Sequence, residues 1–155
     1  MEGVQHTLLL VEDKSNDVLL IRRALTKAGI VNPLQVVSDG DQAVAYLAGE
    51  GDYGDRDRFP LPGVVLLDLK LPRRSGLEAL AWLRQQPGLK RLPVVVLTSS
   101  TENRDINRAY DLGANSYLVK PVEFGPLLEM LKMFGPYWLV LNQKPEVEIT
   151  GAGGA

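Results

Sequence analysis

The chain contains no cysteine. Disulfides, thiolate zinc sites and a cysteine nucleophile are therefore excluded, and the composition agrees with a cytoplasmic protein. Histidine is nearly absent as well: the single one, His6, lies close to the start. A His-ligated metal centre or a Ser-His-Asp triad would rest on that one residue, which we read as lying in solvent before the first strand. No excess of positive charge is present either. Lys and Arg number 17 against 19 Asp and Glu, a net charge of −2, whereas chains that grip nucleic acid through its phosphates are usually basic. No nucleic-acid partner is expected. No apolar run approaches the ~20 residues that span a bilayer. The opening Met1-Glu2-Gly3-Val4 has neither the basic start nor the long apolar stretch of a signal peptide. No membrane partner is expected.

What remains is an ordinary domain's worth of chain. Its 155 residues, 45% of them hydrophobic, suffice for one core that buries roughly two-thirds of the unfolded surface. Thr7 to Val11 is a short continuous apolar run, the mark of a strand buried on both faces. Ser15 to Gly29 carries Val18, Ile21, Leu25 and Ala28 at helical spacing, with Ser15 or Asn16 as a cap and Gly29 as a stop. Pro33 to Val37 reads as a strand, Asp39-Gly40 as a turn, and Asp41 to Leu47 as a short helix. Gly49 to Pro62, rich in Gly, Pro and charge, reads as an exposed loop. Val64 to Leu67, Pro93 to Thr98 and Ser116 to Val119 complete five strands. Helices are expected from Gly76 or Leu77 to Gln86, from Glu102 to Leu112, and from about Pro126 onward.

Five strands alternating with five helices predict an α/β fold: a doubly wound parallel sheet with helices on both faces. Ligands of such sheets sit beyond the C-terminal ends of the strands. The residues at those ends are Glu12-Asp13, Asp68, Thr98 and Lys120. Glu12, Asp13 and Asp68 brought together would repel unless a cation joined them. Mg²⁺ suits one or two carboxylates, waters and a phosphate. Lys120 adds a fixed positive charge and Thr98 a hydroxyl donor, the surroundings that a transferring phosphoryl group requires. Asp68 is the candidate nucleophile, forming an aspartyl phosphate. Any one of these residues alone would be read as a cap or a turn; the joint pattern at one sheet edge is what carries the reading.

The segments Leu9-Leu10-Val11-Glu12-Asp13, Leu66 to Pro72 with Gly76, Val96-Leu97-Thr98-Ser99, Gly113-Ala114 and Tyr117 to Pro121 resemble the receiver domains of two-component response regulators, in order and spacing. The resemblance covers residues 7 to 134. It implies a five-stranded flavodoxin-like sheet of order 2-1-3-4-5, as in the chemotaxis-regulator-like members. It implies that Asp68 accepts a phosphoryl group from a sensor histidine kinase. Mg²⁺ would be held by Glu12, Asp13, Asp68 and the backbone carbonyl of Lys70. Thr98 and Lys120 would bind phosphoryl oxygens, Thr98 and Tyr117 would act as the switch, and the Lys120–Pro121 bond would be cis. Asn32-Pro33, the 49–62 loop, Leu71 to Gly76, Thr98-Ser99-Ser100 and Tyr137-Trp138-Leu139 are closer still to stand-alone receivers paired with bacterial and cyanobacterial phytochromes. Two positions depart from that pattern: Lys14 and Lys70 stand where neutral polar residues are common.

Other functions fit less well. A haloacid-dehalogenase-like, Mg²⁺-dependent phosphohydrolase would carry a second Asp two residues after its nucleophile, and here that residue is Lys70. A flavin or nucleotide binder would show a glycine-rich phosphate loop, which the chain does not have. A scaffold-only pseudo-receiver would not need the intact set of Glu12, Asp13, Asp68, Thr98 and Lys120. The receiver domain is expected to span 1–134, with a C-terminal extension over 135–155. After Lys120 only 35 residues follow, too few for a helix-turn-helix output domain, so signalling is expected through protein–protein contact. Gly135-Pro136 is expected to break or kink the last helix. The apolar run after it, over 135–142, predicts a homodimer through Phe134, Tyr137, Trp138 and Leu139, with a flexible tail to 155.

Overall fold

A computed structural model describes residues 6–148. Its strands are β1 (Leu8–Val11), β2 (Leu34–Val37), β3 (Val64–Leu67), β4 (Val94–Thr98) and β5 (Ser116–Val119). The helices are α1 (Ser15–Lys27), α2 (Gly40–Ala48), α3 (Gly76–Arg84), α4 (Asn103–Asp111) and α5 (Phe124–Gly135). All four strand pairings are parallel, as the alternation of elements predicts, and the order is β2-β1-β3-β4-β5, as the resemblance implies.

The apolar runs work because strand side chains alternate between faces. Leu8, Leu10, Val64, Leu66, Val95 and Leu97 turn to one face, where Ile21 and Leu25 of α1 and Leu127, Leu131 and Phe134 of α5 cover them. Leu9, Val11, Val65, Leu67, Val94 and Val96 turn to the other, under Tyr46 and Leu47 of α2, Leu80 and Leu83 of α3 and Ala109 of α4. The central strands are apolar up to Thr98 at the end of β4, because both faces are covered. The edge strands β2 and β5 are only half-buried.

Several local expectations need correction. Neither Ser15 nor Asn16 caps α1; Lys14 holds that position without a side-chain bond. The capping side chains sit elsewhere. Asp39 accepts from the Gln42 N–H at 2.7 Å, and Ser75 with Glu78 forms a capping box on α3. The last helix begins at Phe124, so Pro126 falls within its first turn, where a missing N–H costs nothing. No cis peptide bond occurs among the described residues, so Lys120–Pro121 is trans. The two X–Pro isomers differ by only about 1 kcal/mol, and tertiary context selects between them.

The 49–62 segment, expected as an exposed loop, is exposed over much of its length but is anchored by aromatic contacts. It contains a 3₁₀ turn, Gly51–Gly54, and packs Tyr53 and Phe59 on Tyr46, with ring centroids 5.0 to 6.0 Å apart. Arg56 closes the C-terminal end of α2 by donating to the carbonyls of Tyr46 (2.8 Å) and Leu47 (3.0 Å). Tyr46, fully buried, donates its hydroxyl to the Pro60 carbonyl at 2.7 Å. Burial pushes this phenol up to about 12. Above pH 10 the unfolded chain releases that proton while the folded chain keeps it, so stability falls as pH rises towards 12. The loss should reach about 3 kcal/mol over that window. Denaturant titrations between pH 9 and 12 check it: Tyr46→Phe should be less stable at pH 9 and show a shallower decline.

The C-terminal extension also differs from expectation. Gly135-Pro136 does not break the chain; α5 runs on as a π-helix, Pro136–Leu141, closed by the Asn142 N–H on the Tyr137 carbonyl at 2.7 Å. Wider turns remove the clash that a proline ring makes with the fourth carbonyl before it. Gly135 packs against Ile30, whose side chain would have to shift to admit a Cβ there. Phe134 is buried in the chain's own core, and Trp138 and Leu139 pack against that core. Residues 142–148 then fold back. Val147 packs on the opposite core, and the Glu148 N–H donates to the Gly88 carbonyl at 2.7 Å. The extension is thus laid along the domain as far as 148, and the end of the expected tail lies outside the described residues.

Candidate functional site

The sheet register lines up the strand ends. Val11 pairs with Val37 and Leu67, Leu67 with Val96, and Thr98 with Val119. The ladder runs one residue further: Glu12 donates to the Val37 carbonyl, Asp68 to that of Val11, and Lys120 to that of Thr98. These backbone bonds hold Glu12, Asp68, Thr98 and Lys120 at one edge, as the sequence predicts. Gly76 closes the loop beneath them, since a Cβ there would lie 2.1 Å from the Asp68 carbonyl oxygen.

Carboxylate oxygens of Glu12, Asp13 and Asp68 lie within 4.8 Å of one another. Glu12 and Asp68 are buried and Asp13 is exposed. Thr98 donates its hydroxyl to Asp68 Oδ1 at 2.7 Å. Lys120 Nζ stands 3.5 Å from Asp68 Oδ2 and donates to Glu12 Oε1 at 2.6 Å. Its third carboxylate partner, Asp17 Oδ2 at 2.9 Å, was not found in the sequence. Asp17 lies in the first turn of α1 and meets Lys120 only through the tertiary fold.

Burial pushes the Glu12 carboxyl above its ordinary range, the Lys120 hydrogen bond opposes this, and the nearby Asp68 charge adds to it. For Lys120, burial favours the neutral amine, but the bonds to Glu12 and Asp17 outweigh it and hold the ammonium above the usual lysine value. The site therefore sets four carboxylates, those of Glu12, Asp13, Asp17 and Asp68, around one cation. A hard divalent cation with oxygen ligands fits this surplus of negative charge. Lys14 is exposed and meets the site only through its backbone N–H, 3.2 Å from Glu12 Oε2. Lys70 is also exposed, and its N–H points to Asp68 Oδ1 at 3.4 Å.

Tyr117 stands on β5 opposite Val96 and donates its hydroxyl to the Ser100 carbonyl at 3.0 Å. Ser100 in turn donates to Asp105 Oδ2 at 2.5 Å. Tyr117 and the β4–α4 loop are thereby tied together, two residues beyond Thr98. The sequence singled out Tyr117 but not the Ser100–Asp105 bond.

Residues 8–132 match the response regulator receiver domain. The chain belongs to that family. It is a receiver-domain signalling protein, and its sheet order, five helices and strand-end residues are those the resemblance implied. The response regulator Rcp1 of Synechocystis is 39% identical over 132 residues, 85% of this chain and 88% of that protein. FilR2 of Methanothrix harundinacea, a probable methanogenesis regulatory protein, is 41% identical over 139 residues, 89% of this chain and 86% of that protein. Among solved structures, the phosphorylated cyanobacterial phytochrome response regulator RcpA superposes with a TM-score of 0.85 at 37% identity. That alignment covers 92% of this chain and all of the other. A Mn²⁺-bound form of Rcp1 superposes at 0.81 with 38% identity, over 90% of this chain and 99% of the other. Receiver domains thus bind divalent metal, and the acidic cluster found here is chemically suited to one. The phosphohydrolase and scaffold-only readings are not favoured. Among the described residues no helix is long and apolar enough to cross a membrane.

Proposed function

We propose that this receiver accepts a phosphoryl group on Asp68 from a sensor histidine kinase, a bacteriophytochrome being the favoured partner. The observation that carries the reading is the convergence of Thr98 Oγ1 and Lys120 Nζ on the two oxygens of one buried carboxylate. An Asp68 oxygen attacks the phosphorus of a kinase phosphohistidine. The O–P bond forms, the P–N bond breaks, and its electron pair returns to the imidazole, which takes up a proton. Lys120 and Thr98 offer donors to the equatorial oxygens as their charge develops. Glu12, Asp13, Asp68 and the Lys70 carbonyl would hold Mg²⁺, which supplies charge neutralisation at those oxygens when bound. Hydrolysis of the acyl phosphate in the same site would return the domain to rest, making the chain a phosphoacceptor that assists its own turnover. Release of the Tyr117 hydroxyl from the Ser100 carbonyl, as Thr98 turns to the phosphate, would alter the β4–α4 surface. The phytochrome pairing is supported by the likeness to RcpA.

Incubation with acetyl phosphate and Mg²⁺ tests the chemistry. One base-labile phosphoryl group per chain, mapped to Asp68, is the expected result; no uptake, or uptake at another residue, would overturn it. Phosphotransfer profiling against purified kinases would identify the partner.

We also propose self-association through the C-terminal end, with a revised set of residues. Phe134 faces the chain's own core, so the outward apolar group is Val31, Met133, Tyr137, Val140 and Leu141, all exposed. A patch of this kind is the sort that a two-fold contact covers. Light scattering should report about twice the chain mass at micromolar concentration. Tyr137→Asp with Val140→Asp should give a folded monomer, whereas Phe134→Asp should unfold the chain. A wild-type chain that stays monomeric, phosphorylated or not, removes the idea.

A further inference from the structure

We propose that Asp17 is a positioning residue that holds Lys120 in the unphosphorylated protein and must release it when Asp68 is phosphorylated. The inference deepens the phosphoacceptor reading and rests on it.

The ammonium of Lys120 has three N–H donors. Two of them reach Glu12 Oε1 at 2.6 Å and Asp17 Oδ2 at 2.9 Å. Asp68 Oδ2, at 3.5 Å, is the most distant of the three carboxylates. The resting protein therefore directs this ammonium mainly towards residues that are not the acceptor. A phosphoryl group on Asp68 would bring roughly two negative charges and three strong acceptors, and Lys120 can serve it only by giving up a present partner.

Glu12 and Asp17 are not equal candidates for that exchange. The Glu12 side chain is 1% exposed, and its second oxygen takes the Lys14 N–H. Parting it from Lys120 would leave a carboxylate that water does not reach dependent on bound metal alone for its countercharge. The Asp17 side chain is 29% exposed. Water can take over its lost bond at little cost. It also lies in the first turn of α1, where the helix N-terminus favours a carboxylate with or without Lys120. Asp17 is thus the replaceable partner. Its oxygens are not part of the cluster formed by Glu12, Asp13 and Asp68, so it acts on the acceptor through Lys120 and through its charge.

Both effects oppose the phosphorylated form. Asp17 competes for the ammonium and adds a negative charge near an incoming anion. Asp17→Asn keeps the shape and a neutral acceptor while removing the charge. Charge-assisted hydrogen bonds are about twice as strong as neutral ones. The variant should accordingly bind beryllofluoride, in the presence of Mg²⁺, about five- to tenfold more tightly than wild type. Its affinity for Mg²⁺ alone should be unchanged or slightly lower. Tighter analogue binding without tighter Mg²⁺ binding separates positioning from general damage, because a distorted site would bind both less well.

Titrations with Mg²⁺ alone and with beryllofluoride plus Mg²⁺ decide this, together with NMR of the Lys120 ammonium and the Asp17 carboxyl carbon. The expected result is tighter analogue binding, a shifted ammonium signal in metal-free Asp17→Asn, and a shifted Asp17 carboxyl signal when wild type binds the analogue. Equal analogue affinities with an unmoved ammonium signal would overturn the proposal, and so would weakening of both ligands. A wild-type chain that takes no phosphoryl group from acetyl phosphate would instead refute the phosphoacceptor reading. The ammonium signal of the metal-free variant would still report whether Asp17 holds Lys120.

Discussion

Replacing Asp68 by Asn is expected to reduce phosphoryl uptake from acetyl phosphate to below roughly one per cent of the wild-type rate. The amide oxygen can still accept from Thr98 Oγ1, now at 2.7 Å from Asp68 Oδ1, so the local packing survives. What disappears is the anionic lone pair that attacks phosphorus. The substitution also removes one of three carboxylates whose oxygens lie within 4.8 Å, so repulsion falls and the metal-free protein should be no less stable than wild type. Mass spectrometry after phosphodonor treatment, with a thermal melt alongside, gives both readouts. A variant that folds yet still gains a phosphoryl group at the wild-type rate would place the chemistry on another residue.

The second large effect concerns Lys120. Lys120→Met should destabilise the metal-free protein by about 3 kcal/mol, because it leaves Glu12 and Asp68 buried without their cation. Divalent metal should restore much of that loss, since it would replace one positive charge with another and would meet a more negative site. Metal affinity should therefore rise while phosphoryl uptake falls, a divergence that simple unfolding cannot produce. Denaturant titrations in chelator and in Mg²⁺, paired with metal titrations, check each arm. If the variant is as stable as wild type in chelator, the buried charge balance argued for Glu12 is wrong.

The C-terminal apolar run shows how far a linear reading of apolar residues can go. The run from Phe134 to Leu141 is conspicuous in sequence, but which of its members face outward depends on helical phase. The continuation of α5 as a π-helix changes that phase after Gly135. Phe134, Trp138 and Leu139 turn to the core and Tyr137, Val140 and Leu141 turn to solvent. No count of hydrophobic residues could have separated these two groups.

The sequence by itself determined the alternation of strands and helices, hence the parallel sheet, and the four strand ends that form the site. Buried strands announce themselves as short apolar runs, because both faces are covered, and the residue after each run must lie at the C-terminal edge. The same reasoning placed Glu12, Asp13, Asp68, Thr98 and Lys120 at that edge, since each is positioned by the strand it ends or follows. Tertiary structure decided what depends on contacts between segments distant in the chain. Asp17 meets Lys120 across 103 positions, the 49–62 segment is ordered by stacking on Tyr46, and residues 142–148 are held by Val147 and the Gly88 carbonyl. Periodicity and capping act over a few residues and record none of these pairings. They form only when the sheet has brought their partners together.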